Sequence, residues 1–199
     1  MDDLASEPLT QTTHPSPPAD RSAAWEQGTP FPDFLPTAEK NADLWRGVYL
    51  RAQLPPALVE RALAVPGAWR LLALSADWCG DASNTVPLLA RLAEAVPSLE
   101  LRLLERDEHL ALMDEHLTNG RSRSIPAVLL LDGEGIERAW WGPRPAALQA
   151  WVMGEGLALE PPDRYREIRK WYARDKGVST LTEVVAMIEA QARVAAAAR

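Results

Sequence analysis

A single cysteine, Cys79, is all that the 199 residues contain. One thiol leaves no internal disulfide and no multi-cysteine metal site open to the chain. Positive charge is also in deficit, with 28 acidic against 21 basic residues and a net charge of -7. That balance argues against nucleic acid, whose phosphates call for a basic face. No apolar run approaches the ~20 residues that span a bilayer, so no membrane partner is expected. The opening stretch MDDLASEPLTQTTH is acidic and polar, unlike a secretory signal, and the expected compartment is the cytoplasm. The glycines of DGEG form no phosphate-loop pattern, and no internal repeat is evident. His109 and His116 fall seven apart on one predicted helix, but no carboxylate–cysteine set completes a metal site around them. A solvated helix face is the expectation there, with no metal and no cofactor.

What is present supports a folded protein. Apolar residues make up 47% of the chain, and its length suits one domain with added elements. Residues 1–36 are rich in proline, including THPSPPAD and TPFPDFLP, and read as an extended or disordered arm that Trp25, Phe31 and Phe34 could pin in places. A folded region of 37–199 follows. It opens with a helical extension over 37–66, formed by TAEKNADLWRGVYLRAQL, with Thr37 as its cap, and by PPALVERALAVP. The run WRLLALSA is continuously apolar, as in a strand buried on both faces. A helix follows Cys79, then the alternating strand SLELRLLE, a helix at DEHLALMDEHL, and the hairpin AVLLLD–GEG–IERAWW. Helices end the chain, with a C-terminal extension over 160–198 whose Leu181, Val184, Val185 and Ile188 share one face. The order is β-α-β-α-β-β-α, an α/β fold.

That order, with Trp78-Cys79 closing the first core strand and Ile125-Pro126 ahead of the third, resembles the thioredoxin fold: a central mixed sheet flanked by helices. Pro87 stands eight residues after the cysteine, where thioredoxins bend the active-site helix. Pro126 holds the place of their cis-proline, and Gly142, sixteen residues further on, that of the glycine that approaches the active site. Together DWCGDA, RDEHLALMDEHLTNG, RSIP, WGPRP and KWYARDKG are similar to a bacterial branch of thioredoxin-like proteins. Two departures stand out. Ala82 replaces the second cysteine of C-x-x-C, and Ala73 replaces the buried acid six residues before the first. A reductase that closes its own disulfide is excluded by stoichiometry.

The resemblance implies that Cys79 is the reactive residue, with Trp78, Gly80, Asp81, Ile125, Pro126 and Gly142 forming the substrate groove. A cysteine at a helix N-terminus gains from free N–H groups and the helix dipole, which favour the thiolate. Asp81 opposes that, and Arg121 and Arg123 could offset Asp81 if they turn inward. Which effect prevails is open at this level. The first reading is a monothiol oxidoreductase forming mixed disulfides with a small thiol such as glutathione, or with a protein thiol, that an external thiol resolves. The alternative is a non-catalytic binding module using the groove beside Pro126. A one-cysteine peroxidase and a cluster-binding monothiol glutaredoxin fit less well, because the motifs before and after Cys79 differ from theirs. The role of Cys79 as a small buried apolar residue competes with all of these. Oligomeric state is open.

Overall fold

The apolar run Trp69–Ser75 forms β3, with Leu71 through Leu74 fully buried, and it lies at the centre of a six-stranded sheet. The computed structural model describes residues 13–197. The sheet order is β1 (Thr13–Asp20), β6 (Ile136–Trp141), β5 (Ala127–Asp132), β3, β4 (Leu99–Glu105), β2 (Thr29–Pro30). On one side β3 pairs in parallel with β4, aligning Trp69 with Leu99 and Ser75 with Glu105. On the other it runs antiparallel to β5, which turns back into β6. The parallel pair needs a crossover, and α5 (Gly80–Ala95) supplies it, burying Val86, Leu89 and Leu92.

The proline-rich segment differs from expectation over its described part, while residues 1–12 lie outside the described residues. Thr13–Asp20 forms β1, an edge strand antiparallel to β6 whose register slips between Pro15 and Ala19. Thr29–Pro30 forms β2 on the opposite edge, against β4. Proline cannot donate to a ladder, so edge strands are where a sheet accepts it. The short helices α1 (Ser22–Gln27) and α2 (Phe31–Phe34) carry Trp25 and Phe31 into the core. Trp25 lies with the guanidinium groups of Arg70 and Arg102 5.3 and 4.8 Å from its ring. Phe31 and Phe34 pack on Trp45 and Tyr49 of α3 (Ala42–Arg51). Thr37 does not cap α3: its hydroxyl donates to the Phe34 carbonyl, and Asn41 precedes the helix instead.

Helix α4 (Pro56–Leu63) starts at a proline, and α6 (Leu110–Asp114) is a single short piece after a 3-10 turn. The chain then adds α7 (Ala146–Met153), α8 (Pro161–Asp175) and α9 (Val178–Ala197). Leu181, Val184, Val185 and Ile188 are buried as α9 folds back on α4, α5 and β6. Leu148 and Val152 of α7 join Ile168 and Tyr172 of α8 in a second, smaller apolar cluster. Lys176 ends α8 in the left-handed region and Gly177 follows at φ 84°, where an added Cβ would lie 2.2 Å from Leu88. Only glycine fits that close approach between α8 and α5.

Candidate functional site

Strand β3 ends at Ser75 and the chain turns through Ala76, Asp77 and Trp78 into α5, so Cys79 takes the N-cap position. The turn is pinned from outside, because the Trp45 indole donates to the Asp77 carbonyl at 2.9 Å and the Asp77 carboxylate accepts the amides of Glu39 and Lys40. The Ala82 amide donates to Cys79 Sγ at 3.4 Å, and the thiol donates to the Ile125 carbonyl at 3.3 Å. The Ile125–Pro126 peptide is cis, as is Gly142–Pro143. Gly142, at φ 146°, lets β6 pass so near that an added Cβ would lie 2.1 Å from the Pro126 oxygen. Cys79, Ile125, Pro126 and Gly142 thus meet at one end of the sheet. The Ile125 amide donates to no backbone acceptor among the described residues. Trp78, 42% exposed, lies at the surface of this turn with the Arg106 guanidinium 4.9 Å from its ring. Gly80 is exposed in open space.

The electrostatics run against the thiolate. Cys79 is 7% exposed, and burial followed by the charge of Asp81 pushes its thiol up to about 11. The Ala82 and Asp81 amides and the Arg144 guanidinium oppose that rise without cancelling it. Arg121 and Arg123 do not turn inward. Both are exposed, and Arg123 forms a two-pronged pair with Asp114 at 2.6 and 2.7 Å. The cation at the site is Arg144, which reaches Asp81 Oδ2 at 2.7 Å and Gln149 at 2.9 Å. Burial works against its charge, and Asp81 outweighs that. The Tyr172 hydroxyl donates to Asp81 Oδ1 at 2.9 Å, and burial and Asp81 hold this phenol well above its ordinary range. Asp81 is therefore clamped by α8 and by the loop after β6, so two elements outside the β3–α5 turn decide its orientation.

Arg144, Gln149 and Tyr172 are the site residues that motif reasoning passed over. Arg144 was signalled by its place between two prolines directly after Gly142. Tyr172 was signalled by its spacing of four from Ile168 in an otherwise charged helix. One of the two histidines also departs from expectation. His116 is 2% exposed, not solvated, and its Nε2 lies 2.7 Å from Glu137, which also accepts from Arg21 at 2.7 Å. No group of three or more His, Cys, Asp or Glu side chains among the described residues is placed to hold a metal ion. No helix among them is long and apolar enough to cross a membrane.

A protein of unknown function from Pseudomonas aeruginosa superposes with a TM-score of 0.68 at 23% identity, covering 86% of this chain and 98% of that one. An HIV epitope-scaffold superposes at 0.66 and 22% identity, covering 86% and 99%. At such identities the likeness concerns the fold alone. No curated protein matches the chain. The family model described as thioredoxin matches residues 28–166, which take in both edges of the Cys79 turn, the Pro126 bend and the first turn of α8. On that match the chain belongs to the thioredoxin family.

Proposed function

We propose that this thioredoxin-fold protein works as a binding module that takes an extended polypeptide segment beside Ile125 and Pro126, with Cys79 as a protonated thiol in the groove wall. The environment of Cys79 carries the reading: burial and Asp81 raise its thiol to about 11. At neutral pH that leaves a thiolate fraction of about 10⁻⁴. An exchange catalyst needs far more thiolate, because only that form attacks a disulfide. The unused Ile125 amide and the exposed Trp78 ring offer what strand-like recognition uses, a main-chain donor and an apolar contact.

A second reading keeps monothiol exchange, in which Cys79 thiolate displaces one sulfur of oxidised glutathione and leaves a Cys79–glutathione disulfide and a glutathione thiolate. The Ala82 amide aimed at Sγ favours it, since that N–H would stabilise a negative sulfur. Alkylation of Cys79 against pH, with intact mass after oxidised glutathione, separates the two. The binding reading expects negligible adduct at pH 7 and a thiol titrating well above ~8.5. It also expects peptides selected from a displayed library to bind Cys79→Ser as tightly as the parent, and Trp78→Ala more weakly. A thiol titrating below ~8.5 with a clean adduct would replace it with the monothiol reading.

A further inference from the structure

Behind α5, on the far side of Tyr172 from the cysteine, α3, α5 and α8 leave a cleft of about 850 Å³. Its wall is apolar where the helices approach each other, with Leu44 and Val48 from α3, Leu88 from α5 and the Tyr172 ring from α8. Three cations, Arg51, Arg169 and Lys176, line it as well, and no Asp or Glu does. None of the three makes an ion pair among the described residues, in a chain whose net charge is -7. Elsewhere on the surface, Arg61, Arg91, Arg123 and Arg166 each hold a carboxylate within 3 Å. Leu50, at the edge of the cleft, is 78% exposed.

We infer that this cleft binds a small amphipathic anion, an apolar chain or ring system ending in a carboxylate or phosphate. The volume lies within the range that holds small organic ligands, and an apolar lining with a few charged groups is how such sites fix orientation. An all-apolar ligand would leave three cations unused, and a compact inorganic anion would leave the Leu44–Val48–Leu88 wall wet. The anionic head pairs with the cations that line the cleft, Arg51, Arg169 and Lys176, and the apolar body lies along the groove between α3 and α8. The site differs from the groove beside Pro126 and touches it at one residue. Tyr172 lines the cleft with its ring while its hydroxyl bonds Asp81. The inference does not depend on the peptide-binding proposal.

The test uses the full chain, titrated by calorimetry with dodecanoate, dodecyl phosphate and dodecanol, each below its aggregation threshold. The two anions are expected to bind one to one, with dodecanol at least about tenfold weaker, as a few partly exposed ion pairs imply. The stronger anion identifies the head group. Arg169→Glu/Lys176→Glu should weaken the anions about tenfold, while Arg174→Glu, on the same helix but off the cleft, should change affinity less than twofold. Ala173→Trp fills the cleft from an exposed position and should abolish binding. Circular dichroism and thermal melts show that each variant is folded before its titration is read. Equal affinity for dodecanol and dodecanoate, unchanged affinity in the double charge reversal, or no heat from either anion would overturn the inference.

Discussion

Two carboxylates, buried Glu137 on β6 and part-buried Asp81 at the start of α5, each hold an arginine, and they differ in what else they face. Glu137 accepts from Arg21 and from His116, whose other ring nitrogen lies 2.7 Å from the Leu112 carbonyl. Both nitrogens of His116 thus face oxygen atoms, and the cluster gathers the imidazole and the Arg21 cation around one carboxylate. Asp81 has Arg144, a neutral phenol and, two residues back along the chain, a thiol. Ionising that thiol would set two negative charges against one arginine. Satisfied polar clusters of this kind cost most when one member is removed, so the first is a structural fixture. In the second, burial and then the local charge disfavour ionisation of the single cysteine.

Breaking the Glu137 cluster should give the largest effect. Glu137→Ala leaves His116 Nε2 buried without its acceptor and Arg21 with Glu115 as its remaining carboxylate, and breaking a buried polar pair costs about 3–5 kcal/mol. Thermal unfolding should drop by ~10 °C for a chain of this size, with Glu137→Gln milder. Burial works against the Glu137 charge, but His116, Ser16 and Arg21 overcome it and hold its carboxyl below the ordinary value. A depressed carboxyl stabilises the fold above its unfolded value, so this contribution is lost as pH falls below ~4.3. A melt of Glu137→Ala within a degree of the parent would show that Glu115 suffices for Arg21 and that His116 finds another acceptor.

The Asp81 cluster fails at the other end of the pH scale. A thiol raised in the folded state adds stability that is full below its unfolded value of ~8.5 and is lost as pH rises toward about 11. A rise of that size corresponds to about 3–3.5 kcal/mol. Urea unfolding at pH 8 and pH 10.5 should therefore show the parent losing more than Cys79→Ser, the comparison removing the Tyr172 contribution common to both. Parallel losses in the two proteins would mean that Cys79 is not held in its protonated form.

The contrast between the clusters follows a contrast in what the residues disclose. Strand β3, helix α5 and the β5–β6 hairpin are legible because each follows from its own stretch: an apolar run, a helical period, a Gly-containing turn. Cys79, Ile125, Pro126 and Gly142 were legible through the spacing of the family motifs, and they do meet. The partners of Asp81 and Glu137 come from chain segments far away in sequence, Tyr172 from α8 and Arg21 from the arm. No local pattern announces such a pairing. Proline density in THPSPPAD argued against a central strand, correctly, but said nothing of an edge strand whose partner lies more than a hundred residues on. Arg121 and Arg123 were placed near Pro126 by sequence distance, whereas the side chain that reaches the site belongs to Arg144.

A smaller effect is expected at the clamp itself. Tyr172→Phe removes one hydroxyl donor to a carboxylate and keeps the ring in its apolar cluster. The loss should be about 1–2 kcal/mol, well short of Glu137→Ala, because Arg144 still pairs with Asp81. Hydrogen exchange along α8 should quicken while α9 stays protected. Unchanged exchange in α8 would mean that the apolar cluster alone holds that helix.

Asp81→Asn probes the comparison most finely, since it removes one charge and keeps the shape. The amide oxygen can face Arg144 and accept from it while the amide nitrogen donates to the Tyr172 hydroxyl, so the fold should hold. What changes is the field at Cys79: the second contribution raising its thiol disappears, Arg144 is no longer neutralised by a neighbour, and burial alone remains against the thiolate. The thiol should titrate lower than in the parent. Each unit of lowering gives tenfold more thiolate, while nucleophilicity falls with basicity by a Brønsted slope of ~0.4–0.5, so alkylation at pH 8 should quicken about three- to fourfold per unit. The same swap at the other cluster, Glu137→Gln, should leave that rate alone. Should Asp81→Asn alkylate no faster than the parent, access to the buried sulfur rather than its charge would be limiting. Burial would then be what silences Cys79, and Tyr172→Phe, which loosens α8 beside Asp81 without touching the charge, should become the faster-reacting variant.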